Sequence, residues 1–177
     1  MEVGSESPWR LITSRLVLIP ATVQVIQAVL DDQHELAGAL EGVKVPRDWP
    51  GNSDALAALP VHLGAMRRDP AQLPWRFRLV VRRSDRLVLG SIDLKGPPRD
   101  GTVEIGWGLI EAARRQGYAR EAAEAVVQWL STRAEVERVT AAVAPSNLPS
   151  IRIAEALGMT MTSLTYRDLP VYARQMR

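Results

Sequence analysis

The sequence contains no cysteine among its 177 residues. That excludes a disulfide scaffold, a cysteine nucleophile and a thiolate metal site. Histidine occurs only at His34 and His62, too few for a histidine-built metal centre, so no metal is expected. Lysine occurs only at Lys44 and Lys95, and every other basic residue is arginine, which makes Schiff-base chemistry a poor fit. No apolar run reaches the length of a bilayer span, and the opening MEVGSESPWR lacks the apolar stretch of a signal peptide. A net charge of +2 does not supply the dense basic face that nucleic acid requires. The expectation is a soluble, cytoplasmic protein with no membrane and no nucleic-acid partner.

What is present is a chain of single-domain size, 46% hydrophobic and 24% charged, long enough to bury a core without staples. Residues 1–10 are polar and aperiodic and read as a flexible segment; residues 11–177 read as one domain. SRLVLIPA is a first strand ended by Pro20. TVQVIQAVLDDQHELAGAL is read as one helix, with Val23, Ile26, Val29 and Leu30 at helical spacing. Gly42 to Asp54 is rich in Pro, Gly and Asp and reads as a loop. A second helix follows, broken or restarted near Pro60. WRFRLVV alternates as a half-buried strand, LVLGSIDLKG partners it with a possible bulge at Gly90, and TVEIGWGLI completes an antiparallel meander. GYAREAAEAVVQWLSTRA is a strong helix, VERVTAAVA a short strand, and PSNLPSIRIAEALGM a helix that Gly158 closes in the left-handed conformation. TMTSLTYRDLPVYARQM is a last strand or half of a hairpin. The order β-α-α-β-β-β-α-β-α-β predicts a single α/β (α+β) domain with a central sheet flanked by helices.

The most informative stretch is EIGWGLIEAARRQGYAREAAEAVV, where a strand leads through a short loop into an alanine-rich helix. The loop holds Arg114, Arg115, Gln116, Gly117, Tyr118, Ala119 and Arg120. Gly117 permits close approach of backbone to ligand, and Ala119 is small enough to do the same. The helix start offers unpaired N–H groups and a positive dipole end, and the arginines add charge. Such a loop is either a solvated, arginine-rich turn or a pyrophosphate site. Its place after a meander strand, with a second βα unit following, favours the anion. It carries neither a Walker Gly-Lys-Ser/Thr nor a Rossmann fingerprint. Glu104 shares a strand face with Gly106 and Gly108, and is either solvent-facing or functional. Asn147 is either a helix cap or a ligand contact, and Ser150 either a plain helix serine or a proton donor. Trp49 lines a pocket or pins its loop, and Asp31, Asp32 and Glu35 form a local acidic group.

These segments resemble the GNAT superfamily of N-acetyltransferases. Arg114-x-x-Gly117-x-Ala119 is similar to the family's acyl-CoA loop, Gln/Arg-x-x-Gly-x-Gly/Ala. TSRLVLIPAT and VEIGWGL resemble the first strand and the motif strand of the ribosomal-protein N-terminal acetyltransferase (RimJ/RimL-like) subgroup. Asn147-x-x-Ser150 with Ala156-Leu157-Gly158 resembles the second CoA-contacting helix. The resemblance covers roughly residues 13 to 165. It implies an acyltransferase that moves acetyl from acetyl-CoA, as cosubstrate, directly to a primary amine on a protein N-terminus or a small molecule. In that frame Glu104 is the general base and Ser150 the proton donor. Leu109 and Ile110 contact the pantetheine through their backbone, as Asn147 does through its side chain. The family implies a monomer or homodimer. Two positions depart from its pattern: Ala154 stands where many relatives carry a tyrosine acid, and Met159 where phenylalanine is usual. Tyr166 or Tyr172 would replace that acid if the last strand folds back. The alternatives are a catalytically silent acyl-CoA sensor on the same fold and an ATP-binding domain using the same loop; the latter lacks a P-loop lysine.

Overall fold

The fold is that of a computed structural model, which describes residues 9–51 and 53–176. Most of the segment read as flexible, residues 1–8, lies outside them.

Eight strands form one sheet in the order β1-β2-β3-β4-β5-β6-β8-β7. A two-residue β1 (Leu11–Ile12) pairs with β2 (Leu16–Pro20). Strands β3 (Phe77–Arg82), β4 (Leu87–Leu94) and β5 (Thr102–Leu109) make the expected antiparallel meander beside β2. β6 (Arg138–Ala142) runs parallel to β5, and β7 (Thr160–Tyr166) and β8 (Leu169–Gln175) form a hairpin whose second strand pairs with β6.

The first helical run divides into α1 (Val23–Leu30) and α2 (His34–Glu41). The break falls at Asp31-Asp32, where Asp32 takes a left-handed φ of 58°. Periodicity does not show such a break, because Asp is one of the few residues that tolerates this conformation. Thr22 caps α1 by accepting from the Val25 N–H, and Gly42 ends α2 with φ 62°. α3 (Ser53–Arg68) continues through Pro60 without the expected interruption. α4 (Tyr118–Ser131) and α5 (Leu148–Ala156) follow β5 and β6. Gly158 closes α5 with φ 77°, and the Met159 N–H returns to the Ala154 carbonyl.

α3 covers one face of the sheet, where His62 and Trp49 pack on Phe77 at 5.5 and 5.8 Å. α4 covers the other, where Trp129 meets Trp75 at 5.0 Å. β3 is thus buried on both faces, not half-buried as its alternation suggests. Arg78, a polar position in that alternation, is fully buried, with its guanidinium 4.8 Å from the Trp129 ring centre. None of its nitrogens has a hydrogen-bond partner. Burial, reinforced by the neighbouring Arg133 charge, lowers its pKa to about 10.

An irregularity in β4 orients the centre of the sheet. Val80 pairs with Gly90 and Val81 with Val88, so Leu89 is the extra residue of a bulge. A Cβ on Gly90 would lie 2.1 Å from the Gly108 carbonyl oxygen, so only glycine fits there. The Gly90 carbonyl accepts a 3.0 Å hydrogen bond from Trp49 Nε1, which pins the loop between α2 and α3.

Burying a charge without acceptors costs more than the ring contact returns. Arg78→Met is therefore expected to raise stability by about 1 kcal/mol. Urea unfolding checks this, and a lowered midpoint would show that the guanidinium is compensated.

Candidate active site

β5 changes partner along its length. On one side it pairs with β4 from Ile105 to Leu109; on the other it pairs with β6 only at Thr102, Val103 and Glu104. Beyond Glu104 the two parallel strands separate into a wedge. Ladder alternation decides which backbone groups face it. The Lys95 N–H donates to the Glu104 carbonyl and the Ile110 N–H to that of Leu89, so even-numbered residues of this stretch turn toward β4. The odd-numbered Ile105, Trp107 and Leu109 turn their backbone groups into the wedge. The Ile110 N–H is thereby committed to β4, and Trp107 joins Leu109 as a residue whose amide lines the opening.

At the wide end of the wedge the chain makes one 3₁₀ turn, Glu111–Ala113, and enters the loop before α4. Arg115 and Gly117 are both left-handed, with φ of 59° and 80°. Gly117 is the α4 N-cap and provides no side-chain acceptor, so the first N–H groups of the helix stay uncapped. The loop's side chains divide into two sets. Arg114 donates to the carbonyls of Leu109 and Gly51, Gln116 to that of Ala112, and Arg120 pairs with Glu124 at 2.7 Å. Tyr118 is buried rather than turned to the loop's outer surface, with the Arg15 guanidinium 4.4 Å from its ring centre. Arg115 is exposed and enters no ion pair among the described residues. Ala119 is half-buried.

Arg15 was absent from the sequence-derived set, yet it organises this loop. Its side chain pairs with Glu121 at 2.6 Å and donates to the Gln116 carbonyl at 3.0 Å. Thr13 Oγ1 and the Arg15 N–H also donate to Glu121. Burial raises the Glu121 pKa, but these bonds and the Arg15 charge outweigh it and hold the carboxyl below its ordinary value. The signal was in TSRLVLIPAT, where Arg15 precedes the strand, but its partner lies 106 residues away.

Glu104 stands at the vertex of the wedge, half-buried, on the strand face that Gly106 shares. Asp93 of β4 pairs directly with Gly106. A Cβ on Gly106 would come within 2.6 Å of Asp93 Oδ1, so the glycine makes room for the carboxylate. Asp93 is buried with His62 Nε2 3.5 Å away and Lys95 Nζ bonded to its Oδ2. Burial pushes the Asp93 pKa up, but the hydrogen bond from His62 and the Lys95 charge prevail and hold it at about 2. For Glu104 the balance is reversed. Burial raises its pKa, and the Asp93 charge adds to that against Lys95 and Arg167.

On the other side of the wedge, Asn147 accepts from the Ser150 N–H at 3.2 Å and caps α5. Ser150 Oγ accepts from Trp107 Nε1 at 3.2 Å, which leaves its own hydroxyl proton free to be donated. Ala154 is fully buried, one turn further on. Tyr172 is buried in β8, and Tyr166 stands at the exposed tip of the β7–β8 hairpin. A cleft of about 420 Å³ lies between α1, α2 and the Trp49 loop; Asp32, His34 and Asp48 line it, but Asp31 and Glu35 do not. Among the described residues no group of three or more His, Asp or Glu could hold a metal, and no helix is long and apolar enough to cross a membrane.

A splayed pair of parallel strands with an uncapped helix start at its mouth is an acyl-CoA transferase architecture, and comparison with known proteins agrees. Residues 15–160 match the model of the acetyltransferase (GNAT) domain, so the chain belongs to that superfamily. It is 28% identical over 150 residues to an uncharacterised N-acetyltransferase, YjdG, of Bacillus subtilis, spanning 84% of this chain and 88% of that protein. It superposes with a TM-score of 0.65 on a GNAT-family acetyltransferase from Bordetella pertussis, 25% identical, covering 93% of this chain and 98% of that one. RimL, a ribosomal L7/L12 alpha-N-protein acetyltransferase solved with coenzyme A, shares the fold at 17% identity and a TM-score of 0.64, covering 94% and 97% of the two chains. The protein is an acetyl-CoA-dependent acetyltransferase of the GNAT fold.

The depressed Asp93 pKa has a consequence for stability. A carboxyl at about 2 when folded, against about 3.9 unfolded, contributes stability that is fully present above pH 4. That contribution is lost as the pH falls toward 2. Urea midpoints of the wild type should drop across this window, and Asp93→Asn should reduce the drop.

Proposed function

We propose that the chain transfers the acetyl group of acetyl-CoA to a primary amine, on a protein N-terminus or a small molecule, with Glu104 as base. The observation that carries this is the position of Glu104. It is a half-buried carboxylate with a raised pKa, at the point where β5 leaves β6 and backbone amides begin to face an open wedge. An amine arrives protonated and must lose a proton before attack, and a carboxylate shifted toward neutrality suits that task.

The wedge is an unfilled strand position, so an extended pantetheine arm can pair with the backbone of Trp107 and Leu109 as an added strand. An N–H from this edge would also polarise the thioester carbonyl and stabilise the tetrahedral intermediate. The pyrophosphate would sit against the uncapped N–H groups from Gly117 to Arg120, with Arg115 adding charge. Arg114, Gln116 and Tyr118 would act mainly by fixing the loop. The amine nitrogen attacks the carbonyl carbon, the C–N bond forms and the C–S bond breaks. The amine proton passes to Glu104, directly or through water. The leaving thiolate takes the hydroxyl proton of Ser150, whose oxygen is held by Trp107 Nε1, and Ser150 in turn takes the second proton from the nitrogen of the tetrahedral adduct, so that the serine ends neutral. Asn147 is occupied as the α5 cap, so its part would be to place Ser150. The resemblance of the motif strand to the RimJ/RimL-like subgroup supports a protein N-terminus or a small amine as the acceptor.

Two measurements test this reading. Calorimetric titration should show micromolar acetyl-CoA binding and no ATP binding. Gly117→Val, which puts a β-branched side chain at φ 80°, should weaken acetyl-CoA at least tenfold; undiminished affinity would remove the loop from the cofactor site. Independently, kcat/KM of the wild type should fall with acid along a limb whose pKa lies above the ordinary glutamate value. Glu104→Gln should abolish that limb and lower the neutral-pH rate by about 10²-fold or more. A limb that survives the substitution belongs to another group.

A further inference from the structure

Which amine the protein takes is bound up with the tip of the β7–β8 hairpin, an inference that rests on Glu104 as the base. Tyr166 pairs with Leu169, so the turn consists of Arg167 and Asp168 alone. Both are left-handed, with φ of 48° and 64°. Two-residue hairpin turns favour this geometry and fill it with Asn, Asp or Gly. An arginine there costs on the order of 1 kcal/mol in backbone strain that Asn or Gly would spare.

The strained residue holds its guanidinium at the exposed tip of the hairpin, beside the Tyr166 ring. The Val143 N–H donates to the Pro170 carbonyl, which places the tip just past the end of β6, at the mouth of the wedge. From there the Arg167 charge acts on Glu104 and opposes the rise that burial gives its pKa. Glu104 therefore has two cations near it. Lys95 is committed to Asp93. Arg167 is exposed, lies 5.3 Å from the centre of the Tyr166 ring, and joins no ion pair among the described residues.

An unpaired cation beside the base repels a bare ammonium group. It favours an acceptor that brings a negative group close to its amine, and the planar fork of arginine matches a carboxylate. We propose that Arg167 is a specificity-determining residue that binds a carboxylate on the acceptor while the acceptor's amine meets Glu104. The acceptor class is then an amine with a neighbouring carboxylate, either a free amino acid or the acidic first residue of a peptide.

The test measures kcat/KM by CoA-thiol release for the free amino acids, for their carboxamides, and for short peptides beginning with Asp, Glu, Asn or Gln. Wild type is compared with Arg167→Asn and Arg167→Gly, which keep the left-handed turn and should unfold at or above the wild-type temperature. The wild type should prefer the carboxylate member of a pair at least tenfold, and both variants should cut that preference at least tenfold, chiefly through KM. A preference among free amino acids identifies a small-molecule acceptor, and one confined to the peptides identifies a protein N-terminus; either supports the proposal. Equal preference in wild type and variants, or a wild type that favours the amides, overturns it. Transfer to none of these amines while acetyl-CoA binds tightly overturns the carboxylate proposal and leaves amine transfer to be sought among acceptors that carry no carboxylate.

Discussion

The parting of β5 from β6 is the constraint on which the site depends. A strand that loses its partner halfway has backbone groups that must find water or a ligand. Because the sheet alternates with period two, the same separation sorts the residues of β5. Odd positions direct their amides into the gap, and even positions direct Glu104 and the two glycines to the face that α3 covers. The bulge at Leu89 adjusts the neighbouring strand, and Gly90 is the residue small enough to let the two strands meet there.

The charged groups around that face balance one another by environment. Asp93 is the more deeply buried carboxylate and stays ionised, because His62 and Lys95 hold it; Glu104 is the more exposed and is the harder to ionise. Burial alone would predict the opposite order. Gly106 contributes by what it lacks, since any side chain there would displace Asp93. The numerous arginines are divided in the same way. Arg78 fills the core, Arg15 and Arg114 tie loops down, and Arg115 and Arg167 are exposed and join no ion pair among the described residues.

Much of this was legible in the sequence because it is local. The meander, the loop at Arg114 to Ala119, the face of Glu104 and the Gly158 cap each follow from residues a few positions apart. The features that were not legible are long-range or sterically exceptional. Nothing local in DDQHEL shows that Asp32 turns left-handed and divides a helix. Pro60 reads as a break, yet α3 runs through it. The alternation around Arg78 reads as solvent-facing because its polar positions are arginines, whereas α4 buries that face. The role of Arg15 needs Glu121, and that of Trp107 needs Ser150. Such pairs exist only once the sheet has assembled.

The Arg15–Glu121 contact also joins regions that the chain keeps far apart. One arginine at the entry to β2 holds the first turn of α4 and the carbonyl of Gln116, and its neighbour Thr13 shares the same carboxylate. The loop before α4 and the amino-terminal edge of the sheet are therefore tied directly to one another, and opening either one breaks the same bonds. A ligand that ordered the loop would therefore slow local unfolding of β1 and β2 without touching them. Amide exchange along that edge would then report loop occupancy at a distance.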